Sequence, residues 1–217
     1  MKIIFTKKNL IDFIWKRNLN NNKKNDIFFL PDRYTGLNKE KKIALIKKFL
    51  RKEKSDLIFI QNSESVAWLL NLRGFDLPFT PLTYCYAILS ATKVHLFFEN
   101  INIKKSFLST FNDKYSINKI SDFNKVLNAD KKGKKIIIEK EKTSLHFFNL
   151  IKKISPNIIF KKDPITELKA IKNSIEINGI KQAHLLDSIA LCKFLYWFKN
   201  IKGTIKELDI IRKIDSL

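Results

Sequence analysis

The chain has 217 residues, of which 45% are hydrophobic and 12% aromatic, so it can bury the core of a globular domain. Its apolar runs stay well short of the roughly 20 residues that a membrane span needs. The N-terminal stretch also lacks the uninterrupted apolar region and the cleavage site of a secretory signal. We therefore expect a cytoplasmic protein with no membrane partner, whose Cys85 and Cys192 are reduced structural thiols.

The net charge of +21 raises the possibility of a nucleic-acid partner, because lysine-rich surfaces attract phosphate backbones. Only five of the 42 basic residues are arginine, however, and the lysines are spread along the whole chain. Arginine makes the bidentate contacts that specific recognition prefers. Lysine, isoleucine, asparagine and phenylalanine are enriched together, which is the pattern that an A- and T-rich genome imposes. We expect no specific nucleic-acid partner, and a cationic nucleic-acid binder is the least favoured alternative.

Residues 1–35 have no core of their own and are predicted to be a linker or the tail of a preceding domain. From residue 38, apolar residues at helical spacing predict a helix with a lysine-rich opposite face. These residues are Ile43, Leu45, Ile46, Phe49 and Leu50. A strand at 56–60 and a helix at 65–70 follow, with Asn62 or Ser63 as the N-cap. Glycine and prolines then predict a loop between Arg73 and Leu82.

The following segments alternate between strands and helices. Strands at 84–90 and 93–98 form a predicted hairpin, followed by a helix at 121–127, a strand at 135–139, a helix at 144–151 and a strand at 157–160. This alternation predicts an α/β domain over residues 36–160. Residues 163–217 then form a separate helical segment, which begins where Asp163 caps a helix with Pro164 in its first turn.

The helical segment contains one long helix or two collinear ones, with Gly179 as an interruption, and then a last helix. A capping box from Thr204 to Glu207 is predicted to open the last helix. Its apolar faces have no sheet of their own to cover, so residues 163–217 need a partner layer.

Three motifs resemble one enzyme family, the three-domain Xaa-Pro aminopeptidases (aminopeptidase P). The first is WLLNLRGFD at 68–76, with Pro81 and the strand that follows; it resembles the family's middle domain. The second, from Asp163 through LKAIKN at 168–173 to the AH and AL pairs at 183–184 and 190–191, resembles the opening helices of its catalytic domain. The segment NLID at 9–12, with Trp15 and Arg17, resembles the connection between its first and second domains.

The resemblance implies a creatinase/prolidase N-terminal-like mixed sheet with flanking helices, followed by the opening helices of a truncated pita-bread domain. It also implies hydrolysis of the bond before a proline at the second position of a peptide. Two divalent metal ions, usually manganese, activate water in that family. Their two Asp, one His and two Glu ligands lie on strands downstream of the helices seen here. We therefore expect this chain to bind no metal and to have no catalytic residues.

The remaining candidate residues have a structural interpretation beside a functional one. His184 and Asp187, at i and i+3 on a helix, can ligate a metal or form a surface pair, and we favour the surface pair. His95 lies in a predicted strand and His146 on a predicted helix. Trp68 and Trp197 are expected to pack rather than to bind substrate.

Arg73 and Asp76 flank Gly74 in the predicted loop. The structural interpretation is a local ion pair that fixes the loop. The functional interpretation is that the loop faces a substrate channel, as the corresponding loop of related proteins does, sometimes in a neighbouring subunit. We favour the ion pair and keep the channel loop as the candidate site.

Three hypotheses follow. The leading one is a fragment of a Xaa-Pro aminopeptidase that is inactive alone. The second is half of a split peptidase that acts through a partner chain or in a homodimer. The third is the cationic nucleic-acid binder.

Overall fold

The computed structural model describes residues 11–14, 27–99, 107, 110–129 and 134–217. The strands in these residues are β1 (Phe28–Phe29), β2 (Leu57–Ile60), β3 (Leu72–Arg73), β4 (Cys85–Ser90), β5 (Val94–Phe98), β6 (Tyr115–Lys119), β7 (Ile136–Ile138) and β8 (Ile158–Phe160). Their helices are α1 (Ile11–Ile14), α2 (Asp32–Thr35), α3 (Lys39–Lys52), α4 (Ser63–Leu70), α5 (Phe123–Ala129), α6 (Leu145–Ile154), α7 (Pro164–Ala170), α8 (Ser174–Lys199) and α9 (Glu207–Asp215).

Six of the strands form one mixed sheet in the order β6-β5-β4-β2-β7-β8. Strand β4 is antiparallel to both of its neighbours, whereas β7 runs parallel to β2 and to β8. The central strands β2 and β7 are buried at every residue, as strands covered by helices on both faces are. The predicted mixed sheet with flanking helices is therefore confirmed.

Helices cover the two faces of the sheet with different side chains. On one face, α3, α4 and α7 pack aliphatic residues such as Ile46, Leu69 and Ile165, each fully buried. On the other face, α5 and α6 enclose an aromatic cluster in which the ring of Phe123 lies 4.7 Å from that of Phe147 and 5.1 Å from that of Phe97, between ring centroids. Rings at these distances and tilts pack edge to face, which adds to the gain from burial.

The observed elements follow the predicted ones closely up to β8, with additions at the paired strands β1 and β3, the short helix α2 and the edge strand β6. The short strands β1 and β3 pair antiparallel, Phe28 with Arg73 and Phe29 with Leu72, and so bring the segment before α2 onto the loop that follows α4. The edge strand β6 was not predicted, because only two of the five residues in YSINK are apolar, although Tyr115 and Ile117 alternate with polar ones and pack against the core.

In the last third of the chain, the structure corrects two details. Gly179 lies inside one continuous helix, α8, and the break falls between α7 and α8 instead. The predicted capping box from Thr204 to Glu207 is wrong, because Lys206 is the N-cap of α9 and its N–H donates to Asp209 Oδ2 at 3.2 Å. The Asp163 cap of α7 is confirmed, since its Oδ1 accepts from the N–H of Ile165 at 2.9 Å.

Helices α8 and α9 expose apolar side chains around much of their circumference. The six with the largest exposed fraction are Leu185, Leu186, Leu191, Tyr196, Leu208 and Ile214. Neither helix contributes a buried residue to the core. None of the helices that the structure describes is long and apolar enough to cross a membrane.

Candidate functional site

The loop between β3 and β4 is held in one conformation by Asp76. Its Oδ2 accepts from Thr83 Oγ1 at 2.8 Å and from the N–H of Tyr84 at 2.7 Å, while its own N–H donates to Leu82 O at 3.0 Å. Gly74 approaches Thr83 so closely that a Cβ at position 74 would lie 2.7 Å from the Thr83 Cβ. The carboxylate and the glycine together clamp the two ends of the loop against each other.

Phe79 stands at the tip of this loop and is fully exposed, with a φ of 61°. A non-glycine residue in the left-handed region costs on the order of 1–2 kcal/mol, and a bulky one is unusual there. Phe75 is also 65% exposed, and its ring lies 5.8 Å from that of Phe28. The clamped loop thus presents aromatic side chains to solvent.

Arg73 lies at the start of the loop, but its side chain points back towards α4. Its Nη1 donates to Leu72 O of β3 at 2.8 Å and to Ala67 O in the last turn of α4 at 3.2 Å. Burial lowers the pKa of Arg73, and nearby Glu176 partly offsets this effect. Among the described residues, Arg73 and Asp76 form no ion pair with each other. The prediction of a local ion pair is wrong. Backbone carbonyls accept from the Arg73 guanidinium, whereas Thr83 and Tyr84 donate to the Asp76 carboxylate.

Beneath Arg73, the side chain of Lys42 is 1% exposed. Its Nζ donates to Asn71 Oδ1 at 2.7 Å and to Trp68 O at 2.9 Å, and it lies 4.0 Å from the centre of the Trp68 ring. The pKa of Lys42 is lowered to about 8, chiefly by burial; Glu176 and Asp32 partly offset this effect, whereas Arg73 adds to it. A buried ammonium group is tolerated here because two oxygens and an aromatic face replace its water.

Asn71 links this lysine to the segment before α3. It is the C-cap of α4 in the left-handed conformation, with a φ of 55°, and is 3% exposed. Its Nδ2 donates to Leu37 O at 3.0 Å and to Thr35 Oγ1 at 3.1 Å. Asparagine adopts this conformation more readily than most residues, and its amide both accepts and donates, which the two sides of the contact require.

The N-terminus of α8 completes this polar cluster with partly buried residues. Asn173 and Glu176 form a capping box, in which Asn173 Oδ1 accepts from the N–H of Glu176 and the N–H of Asn173 donates to Glu176 Oε2. The Asn173 Nδ2 also donates to Thr35 O at 2.8 Å, and Trp68 Nε1 donates to Glu176 Oε1 at 3.4 Å. We call this cluster the junction; its members are Thr35, Lys42, Trp68, Asn71, Arg73, Asn173 and Glu176.

The junction fixes where α8 leaves the α/β layer, and sequence reasoning missed most of it. One signal was available: Lys42 lies four and eight residues before Ile46 and Leu50, on the apolar stripe of α3, where a lysine must find internal partners. The partner residues lie 26 or more positions away, so no local pattern identifies them.

Metal-binding groups do not come together in the part of the chain that the structure describes. No three His, Cys, Asp or Glu side chains there form a cluster that could hold a metal ion. His184 lies on α8 and is exposed. These residues therefore do not fit a dinuclear metal centre, which needs a convergent set of carboxylates and imidazoles.

Comparison with known proteins places this fold. A model of the creatinase/prolidase N-terminal domain matches residues 18–176. The chain is 37% identical over 194 residues to Xaa-Pro aminopeptidase 1 of Dictyostelium discoideum, covering 89% of this chain and 29% of that protein. It is 29% identical to a probable Xaa-Pro aminopeptidase P of Laccaria bicolor, covering 91% of this chain and 31% of that protein. The chain thus spans about a third of the length of these relatives.

Solved structures agree with these matches. The X-prolyl aminopeptidase of Caenorhabditis elegans, described as a cytosolic enzyme with a di-nuclear active site, superposes with a TM-score of 0.81 at 27% identity. The superposition covers 96% of this chain and 35% of that one. A Xaa-Pro dipeptidase of Bacillus anthracis shares the fold, with a TM-score of 0.61 at 16% identity. The chain belongs to the creatinase/prolidase N-terminal domain family and is a homologue of the Xaa-Pro aminopeptidases.

Proposed function

We propose that this chain supplies the non-catalytic part of a Xaa-Pro aminopeptidase, an enzyme that releases the N-terminal residue ahead of a proline. In this proposal, residues 1–35 are a linker, 36–160 are the creatinase-like domain and 163–217 open a pita-bread catalytic domain. The observation that carries it is the junction, which attaches α8 to the α/β layer. The chain in which it does so spans about a third of the length of its peptidase relatives. The family resemblance and the mixed sheet support the same assignment.

The chain is inactive by itself in this proposal. The complete enzyme would use two divalent metal ions, which we take to be manganese, to activate the attacking water. The ligands would come from residues outside these 217, because the described residues offer no suitable cluster. The role left to this chain is to position α8 and the loop from Arg73 to Asp76.

The test is an assay of the purified chain with a Xaa-Pro peptide and manganese. We expect no release of the N-terminal residue, at any metal concentration, from a sample whose circular dichroism shows the folded α/β domain. Metal-dependent turnover that survives repurification would contradict the proposal. A full-length homologue, assayed in the same buffer, shows that the conditions support the reaction.

We also propose that the clamped loop borders the substrate channel of the complete enzyme. The support is its rigidity: Asp76 has three internal hydrogen bonds, yet the loop exposes Phe75 and Phe79 instead of burying them. A loop with this much order and this much exposed aromatic surface is suited to contact a ligand or a neighbouring subunit. In the complete enzyme, Phe79→Ala would raise KM for the peptide and leave the fold intact.

A second candidate function is half of a split peptidase, and the exposed apolar faces of α8 and α9 favour it. The metal-bearing half would be a separate polypeptide that covers these faces, or a second copy of the chain would cover them in a homodimer. Mixing the chain with the C-terminal remainder of the Dictyostelium relative is the test. Metal-dependent peptidase activity from the mixture alone would support the split enzyme, and a soluble monomer that ignores this fragment would count against it.

A cytoplasmic location and the lack of a specific nucleic-acid partner belong to the same proposal. The lysine-rich surface contains few arginines, and the exposed aromatic residues do not alternate with basic ones along the chain. A titration of DNA and RNA binding against salt tests this point. Affinity that persists near physiological ionic strength would contradict it.

A further inference from the structure

A groove of about 770 Å³ lies between α3 and α7, outside both the loop and the junction. Its volume falls in the range of roughly 300–1,000 Å³ in which proteins bind ligands. The groove is lined by Leu45, Lys48, Phe49, Lys52, Lys161, Lys162, Asp163, Pro164, Glu167, Leu168 and Ile171.

Its apolar floor comes from one face of each helix. On α3, Leu45 and Phe49 stand at i and i+4, beside the face that buries Ile46 and Leu50, and Phe49 also packs partly against the core. Facing them are Pro164, Leu168 and Ile171, at i, i+4 and i+7 along and just past α7. Leu45 is 39% exposed and Ile171 is 81% exposed. The floor is therefore formed partly by core-packed side chains, Phe49 and Leu168, and is open to solvent at Leu45 and Ile171. Contiguous exposed apolar surface marks binding sites on soluble proteins.

Its rim is basic. Lys48 and Lys52 lie one turn apart on α3, while Lys161 and Lys162 come from the segment after β8. Lys161 pairs with Glu53 at 3.1 Å, but within the described part of the chain the other three lysines make no ion pair. The acids on the groove are fewer: Asp163 is buried as the cap of α7, and Glu167 is exposed. The rim therefore has an excess of positive charge, and three of its four lysines have no ion-pair partner among the described residues.

From this combination we propose that the groove docks an acidic, amphipathic peptide segment of another protein. Two apolar side chains of the segment would fill the floor, and its carboxylates would pair with the rim lysines. Charge complementarity decides the kind of partner: a basic or purely aliphatic segment would leave the rim lysines unpaired beside it. A nucleic acid fits less well, because the floor is mostly aliphatic and the rim has no arginine.

Fluorescence anisotropy tests the proposal with the intact chain. The probe is a fluorescein-labelled synthetic peptide of about 12 residues, with leucines at i, i+3, i+4 and i+7 and glutamates elsewhere, the spacing with which helices bind in grooves. A peptide of equal charge without leucines is the matched probe. We expect the leucine peptide to bind about tenfold more tightly, and the variant Ile171→Glu to remove that advantage. Ile171 is so exposed that this substitution leaves the unfolding midpoint unchanged.

Charge-matched variants separate the groove from the general positive charge of the chain. The pair Lys48→Glu and Lys52→Glu is expected to weaken binding of the leucine peptide about tenfold or more. The control pair, Lys193→Glu and Lys199→Glu on α8, changes net charge by the same amount and is expected to weaken it less than about threefold.

Three outcomes would overturn the proposal. An equal loss for both lysine pairs would show non-specific attraction only. Displacement of the peptide by single-stranded DNA of equal charge, with loss of DNA binding in Ile171→Glu, would identify the groove as a nucleic-acid site. Concentration-dependent dimerisation that Ile171→Glu abolishes would identify a second copy of this chain as the occupant.

Discussion

Replacing Asn71 by alanine is expected to be among the most destabilising changes at any polar residue of this protein. The variant removes the acceptor 2.7 Å from the Lys42 ammonium group and two donors at 3.0 and 3.1 Å. A hydrogen bond to a charged group contributes about 1.5–3 kcal/mol and each neutral one about 0.5–1.5 kcal/mol. Alanine at a φ of 55° adds about 1 kcal/mol of strain. Since these contributions overlap, we expect the free energy of unfolding to fall by about 3–5 kcal/mol.

Urea denaturation followed by circular dichroism measures this loss, provided that the slope with denaturant is unchanged. Asn71→Gly removes the same hydrogen bonds without the backbone strain, so it should recover about 1 kcal/mol relative to alanine. The exposed Asn128→Ala variant, whose side chain only reaches Asn124 at 3.5 Å, should change stability by less than about 0.5 kcal/mol. A loss below about 1 kcal/mol for Asn71→Ala would refute the idea that the junction depends on this amide.

Other predictions concern charge, packing and the surface. Lys42 has its pKa lowered to about 8 in the folded state, so the unfolded chain binds more protons between about pH 8 and 10.5, and the free energy of unfolding should rise across that window by up to about 3 kcal/mol. Urea titrations at several pH values should show that Lys42→Met lacks this rise. An identical rise in the variant would assign it to other groups. Phe123→Ala should lower the free energy of unfolding by about 3–5 kcal/mol in the same assay, because it opens a cavity among three phenylalanine rings. Phe123→Leu should lower it clearly less, and an equal loss for both variants would argue against tight packing there. Glu64→Gln breaks the 3.0 Å ion pair with Lys169, but Glu64 is 65% exposed, so the loss should stay under about 1 kcal/mol and vanish in 1 M salt; a larger, salt-independent loss would show that α4 and α7 depend on this contact.

Local patterns predicted most of the elements because each element has its own chemical signature. The helical stripe of α3, the two apolar runs of the β4–β5 hairpin and the Asp163–Pro164 start of α7 need no distant partner to be recognised. The sequence pattern did not predict an element correctly where its signature was weak, or where two residues could serve as the same cap. Strand β6 lies at the sheet edge with partly buried, mainly polar residues, and two neighbouring residues, Thr204 and Lys206, could each begin α9.

The candidate site shows the same division. Glycine and prolines predicted the loop between Arg73 and Leu82, which contains Asp76, because those residues forbid regular structure. The partners of its two charged ends were predicted wrongly, since Arg73 bonds to carbonyls of α4 and β3 while Asp76 bonds across the loop to Thr83 and Tyr84. An ion pair three residues apart is only one of several ways to satisfy an arginine and an aspartate. Which way prevails depends on the acceptors and donors that the fold brings nearby.

The sequence by itself determined the α/β class, the succession of helices after Asp163 and the resemblance to Xaa-Pro aminopeptidases, because periodicity and turn chemistry act over a few residues. Only the tertiary structure decided that Lys42 is buried, that Asn71 holds it and that Asn173 and Glu176 join α8 to the α/β layer. These contacts connect residues 29 to 138 positions apart. A buried charge is stable only where such distant groups converge and replace its water, and that convergence is a property of the fold.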